Sequence, residues 1–211
     1  LMTSMMVLLP SLKRITNVQS IIQRGVAASE RLFGILDQDD EPDHGTFTLA
    51  RTKGEIRFEN VCVQYQGQHK PALQELSFIA RPGTVTAIVG RSGSGKSTLI
   101  RLIPRFYEPS YGRVPLDGID LRVFKLSNLR EQIALVGQQV ILFDDSVLAN
   151  VRFGKSDASE QDVWMALRAA NAEEFVVKLP EGIHTKIGER GGRLSGGQKQ
   201  RLAIARAILK D

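Results

Sequence analysis

The stretch Val85-Thr86-Ala87-Ile88-Val89-Gly90-Arg91-Ser92-Gly93-Ser94-Gly95-Lys96-Ser97-Thr98 decides the reading of this chain. Its first five residues read as a short apolar strand, suited to burial on both faces. Residues 90–97 fit the pattern G-x-x-x-x-G-K-[ST], and Thr98-Leu99-Ile100-Arg101-Leu102-Ile103 continues as a helix. Gly90, Gly93 and Gly95 let the backbone wrap tightly. Successive N–H groups through Arg91, Ser92 and Ser94, and the helix N-terminus at Lys96, Ser97 and Thr98, then point at one anion. Lys96 can reach the outer phosphates of a polyphosphate, and the Ser97 hydroxyl can ligate Mg²⁺. The loop alone does not separate a kinase, a GTPase, a DNA-repair ATPase or a transporter.

Outward from this loop, composition sets limits. The chain has 211 residues, 42% hydrophobic and 24% charged, which is ordinary globular usage and excludes a wholly disordered or collagen-like protein. One cysteine, Cys62, cannot form an internal disulfide, so a reducing compartment is expected. A formal charge of +5 is a modest basic bias that does not by itself imply nucleic acid.

The N-terminal residues 1–9 are apolar and are followed by Pro10, Lys13 and Arg14. A signal peptide would place its charges before the apolar run. A core helix and the cytoplasmic exit of a membrane helix both remain open, the second because Lys and Arg collect on that side. Residues 11–36 read as one helix, with Leu12, Ile15, Val18, Ile22, Val26 and Leu36 spaced along one side. Such a helix needs a partner surface. The acidic, Pro- and Gly-containing run from Asp37 to Gly45 reads as a linker. The expected domains are therefore 1–36, a linker over 37–53, and 54–211.

From Gly54 the period becomes two. Ile56 and Phe58 alternate with Glu55, Arg57 and Glu59, and Val61, Val63 and Tyr65 resume after Asn60. Leu76, Phe78 and Ala80 predict another strand, and Ile133-Ala134-Leu135-Val136 a second buried one. Ser159-Glu160-Gln161-Asp162 is a capping box opening a helix through about Ala170.

A second anion-seeking helix start lies at Leu194-Ser195-Gly196-Gly197-Gln198. Ser195 reads as N-cap and Gln198 as its partner three residues on. The two glycines expose the first N–H groups, and Leu202, Ala205 and Leu209 share one side of the Ala-rich helix beyond.

L-S-G-G-Q with the phosphate loop upstream resembles the signature of the ATP-binding-cassette transporters, and the resemblance runs over nearly the whole chain. It implies an α/β fold: a P-loop NTPase core with an antiparallel β subdomain and a helical signature subdomain. It implies ATP and Mg²⁺, with Lys96 and Gln138 catalytic and Ser97 and Gln138 toward the metal. Tyr65, in Val63-Gln64-Tyr65, resembles the aromatic residue that stacks on adenine. Gln138, in Ala134-Leu135-Val136-Gly137-Gln138, resembles the glutamine that reaches the metal and the attacking water and connects the site to the membrane domain. Leu194, Ser195, Gly196, Gly197 and Gln198 then face nucleotide bound to a second copy. Ile187-Gly188-Glu189-Arg190-Gly191-Gly192 resembles the exporter loop that touches membrane helices, with Glu189 as the contact.

The order helix, acidic linker, cassette resembles exporters with fused membrane and ATPase domains, and makes residues 1–36 the end of the last membrane helix. Pro10–Val18, Gln23–Ala28 and Phe106-Tyr107-Glu108 are most similar to the bacterial lipid A exporters. The resemblance thus implies a homodimer, a lipid substrate, and a bacterial inner membrane with this segment on its cytoplasmic side. Export of drugs, peptides or another lipid is an alternative. A soluble cassette ATPase acting on nucleic acid or ribosomes is opposed by the N-terminal apolar run and by the lack of a long basic–aromatic stretch.

Two departures stand out. Pro115 occupies a strand position and lacks a ladder donor, so an edge or a local distortion is expected there. The family's Asp and Glu after the next strand, its D-loop and its switch histidine match nothing before Asp211, and His44, His69 and His184 do not fit the switch. The 211-residue piece is expected to bind nucleotide weakly at most and to hydrolyse it negligibly, with apolar surface around Val85–Val89 and Ile133–Val136 partly uncovered.

Overall fold

The computed structural model describes residues 2–38, 41–68 and 70–210, with side chains from Val18 onward. Leu1, Asp39, Asp40, His69 and Asp211, and the side chains of Leu12, Lys13, Arg14 and Ile15, lie outside the described residues. The chain divides into two compact units, Leu1–Asp43 and His44–Asp211.

The first unit is one helix, α1 (Met2–Leu36). It exposes Val18, Ile22, Val26, Leu32, Phe33 and Leu36. Among the described residues no helix is long and apolar enough to cross a membrane.

The second unit starts with an antiparallel sheet. β1 (Ile56–Val63) pairs with β2 (Leu73–Ala80), with β3 (Tyr111–Arg113) and with β4 (Pro115–Leu116), and β4 pairs with β5 (Ile119–Asp120). In β1 the apolar positions move from even to odd numbers between Phe58 and Val61. The structure accounts for this with a register irregularity there and with Asn60 at φ 49°. A bulge adds one residue and so restores the inward face. Phe58 and Phe78 are cross-strand partners with stacked rings, centroids 4.6 Å apart. Pro115 is not on an edge, because β4 lies between β1 and β5. It marks a distortion instead: the strand breaks at Val114 between β3 and β4.

Helix α2 (Lys96–Leu102) packs Leu99 and Leu102 into the apolar cluster under this sheet, with Val61, Leu116, Phe124 and Leu129. Residues 44–53 belong to the same unit. Phe47 meets Phe124 edge-on at 5.0 Å, and Leu49 N donates to Asn128 in α3 (Leu126–Glu131) at 2.7 Å.

A separate helical cluster is built from α4 (Val147–Arg152), α5 (Glu160–Ala169), α6 (Glu173–Val177) and α7 (Gly196–Lys210). Val147, Val151, Val163, Leu167, Val176, Ile187 and Leu202 fill it. The α5 capping box forms as its sequence requires, with Ser159 and Asp162 bonding reciprocally. Leu202, Ala205 and Leu209 are the buried face of α7.

The structure corrects two expected strands. Residues 85–89 and 133–136 have no strand geometry, and Val85 is 100% and Val89 89% exposed. Leu135 and Val136 are exposed as well. A strand buried on both faces is held by ladder bonds on both edges and by covering layers. Among the described residues no strand pairs with either segment, so the local preference has nothing to act on. The uncovered apolar surface is as expected from the sequence.

Candidate nucleotide site

The phosphate loop is organised by backbone shape. Gly93 and Gly95 have φ of 78° and 85°, a region that side chains rarely enter. A Cβ on Gly95 would lie 2.4 Å from Ala72 O and 2.7 Å from Leu73 Cδ2. The glycine is therefore what lets the loop close on the segment that follows Tyr65. Lys96 Nζ donates to Gly90 O and to Arg91 O at 2.7 Å each, and to Ser94 Oγ at 3.4 Å. The lysine thus holds the loop by its carbonyls.

Ser97 is exposed on the first turn of α2, whereas Thr98 is 7% exposed. Thr98 Oγ1 lies 2.9 Å from Tyr65 Oη, and Tyr107 meets the Tyr65 ring edge-on at 5.2 Å. Tyr65 and residues 90–98 thus form one constellation at one end of the sheet. The cleft beneath the loop, about 410 Å³ and lined by Leu73, Phe78, Ile88, Val89 and Leu99, is apolar. It suits side-chain packing.

The second group of residues lies on the helical cluster. Leu194 is buried there, while Ser195, Gly196 and Gly197 are exposed. Ser195 N donates to Gln198 Oε1 at 2.8 Å, and Gln198 N to Ser195 Oγ at 3.3 Å. This satisfies two donors of the first turn and leaves the N–H groups of the glycines facing outward. Neither these residues nor Gln138 hydrogen-bonds to the phosphate loop among the described residues. Within this chain the two anion-seeking surfaces sit on different apolar clusters.

Gln138 is exposed in a bend. The segment after it is joined to the one before Glu189: Val147 N donates to Thr185 O at 3.1 Å, and Ile187 N to Asp145 O at 3.0 Å. Gly191, at φ 65°, closes on Leu142, to which a Cβ would approach within 2.9 Å of Cδ1. Glu189 is exposed at the start of the short 3₁₀ turn Glu189–Gly191. The segment that follows Gln138 and the turn that starts at Glu189 are therefore joined.

Three supports carried no sequence signal. Asn150, 1% exposed, accepts from Phe143 N at 2.8 Å and donates to Phe143 O and Ser146 O at 3.0 Å each. Arg206 of α7 donates to Asn150 O at 2.9 Å, and burial pulls its pKa down. Lys210 Nζ donates to Arg130 O at 2.7 Å and Ile133 O at 2.8 Å, tying the end of α7 to the end of α3. An Asn inside a short helix and cations in the C-terminal half of another are individually unremarkable in a sequence.

For Mg²⁺, Ser97 and Gln138 supply exposed oxygen donors, and the described residues hold no cluster of three His, Cys, Asp or Glu. That donor set fits a hard cation that keeps several waters and takes phosphate oxygens.

Comparison with known proteins places this geometry. Residues 73–211 match the ABC transporter family. The chain is 59% identical over 212 residues to the ATP-dependent lipid A-core flippase of Xanthomonas euvesicatoria pv. vesicatoria (strain 85-10), covering 100% of this chain and 36% of that protein. It is 54% identical to the ATP-dependent lipid A-core flippase of Xylella fastidiosa (strain 9a5c), with the same coverage of 100% and 36%. A bacterial Atm1-family ABC exporter solved with ATP bound superposes with a TM-score of 0.78 at 37% identity, over 90% of this chain and 33% of that one. The chain thus spans 36% of the length of these relatives. With a signature helix and a phosphate loop on two separate clusters, and with this similarity, the chain belongs to the ABC transporter family.

Proposed function

We propose that this chain is the ATP-binding part of an exporter that moves lipid A or its core-bearing precursor across the bacterial inner membrane, with the cassette on the cytoplasmic side. The observation that carries this reading is the 59% identity, over all of this chain including α1, to a protein named as a lipid A-core flippase. In this reading α1 is the cytoplasmic end of the last membrane helix and 37–53 the linker, its residues 44–53 packed on the cassette.

Two copies face head to tail. Lys96 leaves the carbonyls of Gly90 and Arg91 and turns to the outer phosphates, while the loop N–H groups take the remaining oxygens. The Ser195 hydroxyl and the Gly197 N–H of the second copy meet the γ-phosphate from the other side. Ser97 and Gln138 would hold Mg²⁺, which neutralises charge developing on the phosphates. Gln138 also orients the attacking water, and Tyr65 stacks on the adenine. Phosphoryl transfer requires mainly positioning and charge neutralisation, which these groups supply. The joined segments after Gln138 and at Glu189 carry closure of the dimer to the membrane helices.

The test is reconstitution of the intact protein in liposomes with and without lipid A. Lipid A should stimulate ATP hydrolysis and cross the bilayer only when ATP is hydrolysed. Stimulation by a drug or peptide with no response to lipid A would assign a different cargo.

A further inference from the structure

We propose that Tyr107 is a positioning residue that, together with Thr98, holds the Tyr65 ring preset as a platform for the nucleotide base. The inference rests on the reading of Tyr65 as the base-stacking residue and adds what fixes its ring.

Tyr65 sits on the segment between β1 and β2, its ring half-buried against the apolar cluster under the sheet. Two further contacts fix its orientation. The phenol oxygen is 2.9 Å from Thr98 Oγ1, and Thr98 is itself buried in α2 next to Ser97. The ring meets Tyr107 at 5.2 Å with planes 85° apart. A perpendicular neighbour covers at most one face of a ring, and Tyr65 is only half-buried.

Tyr107 stands on a stiff corner. Arg105, at φ 54°, donates through Nη1 to Phe124 O at 3.2 Å and through Nη2 to Glu108 at 2.9 Å. Arg130 lies over the Phe106 ring at 5.1 Å. The residues flanking Tyr107 on both sides are thus pinned, and Tyr107 can pass that rigidity to Tyr65. A ring fixed before binding loses less freedom when it stacks, which tightens binding without a new contact to the ligand. Because Thr98 follows Ser97 directly, the base platform and the phosphate loop are set by the same turn of helix.

The experiment measures binding of Mg-ATP and of inorganic tripolyphosphate with Mg²⁺ to the intact protein, for wild type, Tyr65→Ala, Tyr107→Leu and Tyr107→Phe. Tyr107 is 41% exposed, which favours folding of its variants. Tripolyphosphate, having no base, reports any loss of the loop itself. Tyr65→Ala should weaken ATP and spare tripolyphosphate, as the base-stacking reading requires. Tyr107→Leu should weaken ATP roughly three- to tenfold, the range of one aromatic pair, and also spare tripolyphosphate. Tyr107→Phe, which keeps the ring, should match wild type. Should Tyr107→Leu bind ATP as tightly as wild type, or lose both ligands in parallel, the positioning role is overturned while the Tyr65 result stands. If Tyr65→Ala itself leaves ATP affinity unchanged, both readings fall.

Discussion

The Asp117 carboxylate accepts a hydrogen bond from the Thr52 hydroxyl at 2.5 Å, fastening the segment before β1 to the β4–β5 turn. The same carboxylate accepts from the N–H groups of Lys53 at 2.6 Å and Glu55 at 2.9 Å. Partial burial pushes its pKa up, but the bonds from Thr52, Glu55, Lys53 and Gly54 outweigh this and hold it below the ordinary value. A carboxyl depressed in the folded state contributes stability above its unfolded pKa, about 3.9, and loses it as pH falls through the folded value. Amide exchange at Lys53 and Glu55 should therefore lose protection below about pH 4. Asp117→Asn, which tolerates the residue's φ of 51°, should remove that pH dependence. Protection that persists unchanged to the lowest pH would show that the carboxylate does not hold this segment.

The close approach at Gly95 separates two kinds of glycine. Gly93→Ala meets only the strain of its positive φ, on the order of 1–2 kcal/mol, because nothing lies near its Cβ position. Gly95→Ala adds a collision with the Ala72 carbonyl. ATP affinity, measured by titration on the intact protein, should fall further for Gly95→Ala than for Gly93→Ala. Equal losses would mean that the packing of the phosphate loop on residues 72–73 is unimportant.

At the signature helix, capping and phosphate contact can be tested separately. Ser195→Ala should cost the helix about 1 kcal/mol through its lost cap. Ser195→Asp keeps a good capping oxygen but places a negative charge where the second copy's γ-phosphate is proposed to sit. Its thermal midpoint should stay near wild type while ATP turnover collapses. Normal turnover in Ser195→Asp would place the phosphate elsewhere.

Asn150→Ala should be among the more damaging single changes in the helical cluster. It strips the partner from Phe143 N, leaving a half-buried donor unpaired, and frees the Phe143 carbonyl. A loss of roughly 1–3 kcal/mol is expected, read from the unfolding midpoint. A change under half a degree would indicate that water replaces these bonds without cost.

Features set by near neighbours in the chain were legible in the sequence. Both capping boxes, the helices after Lys96 and Ser195, and the glycine-shaped phosphate loop follow from residues within a few positions of one another. The alternation on either side of Asn60 was visible as well; its change of face there is explained by the bulge. Features set at a distance were not legible. Asp117 reaches Thr52 across 65 positions and Lys210 reaches Arg130 across 80, and neither leaves a periodic trace. The residues expected to be strands at 85–89 and 133–136 have the composition of strands, but a ladder needs neighbours that composition cannot supply.

Lys96 shows most sharply whether the phosphate loop drives the proposed export. Lys96→Ala removes the only side chain whose charge bonds directly to Gly90 O and Arg91 O among the described residues. The intact protein carrying Lys96→Ala should have no measurable lipid-stimulated ATP turnover. Turnover at the wild-type rate would mean that the loop is not the phosphate site.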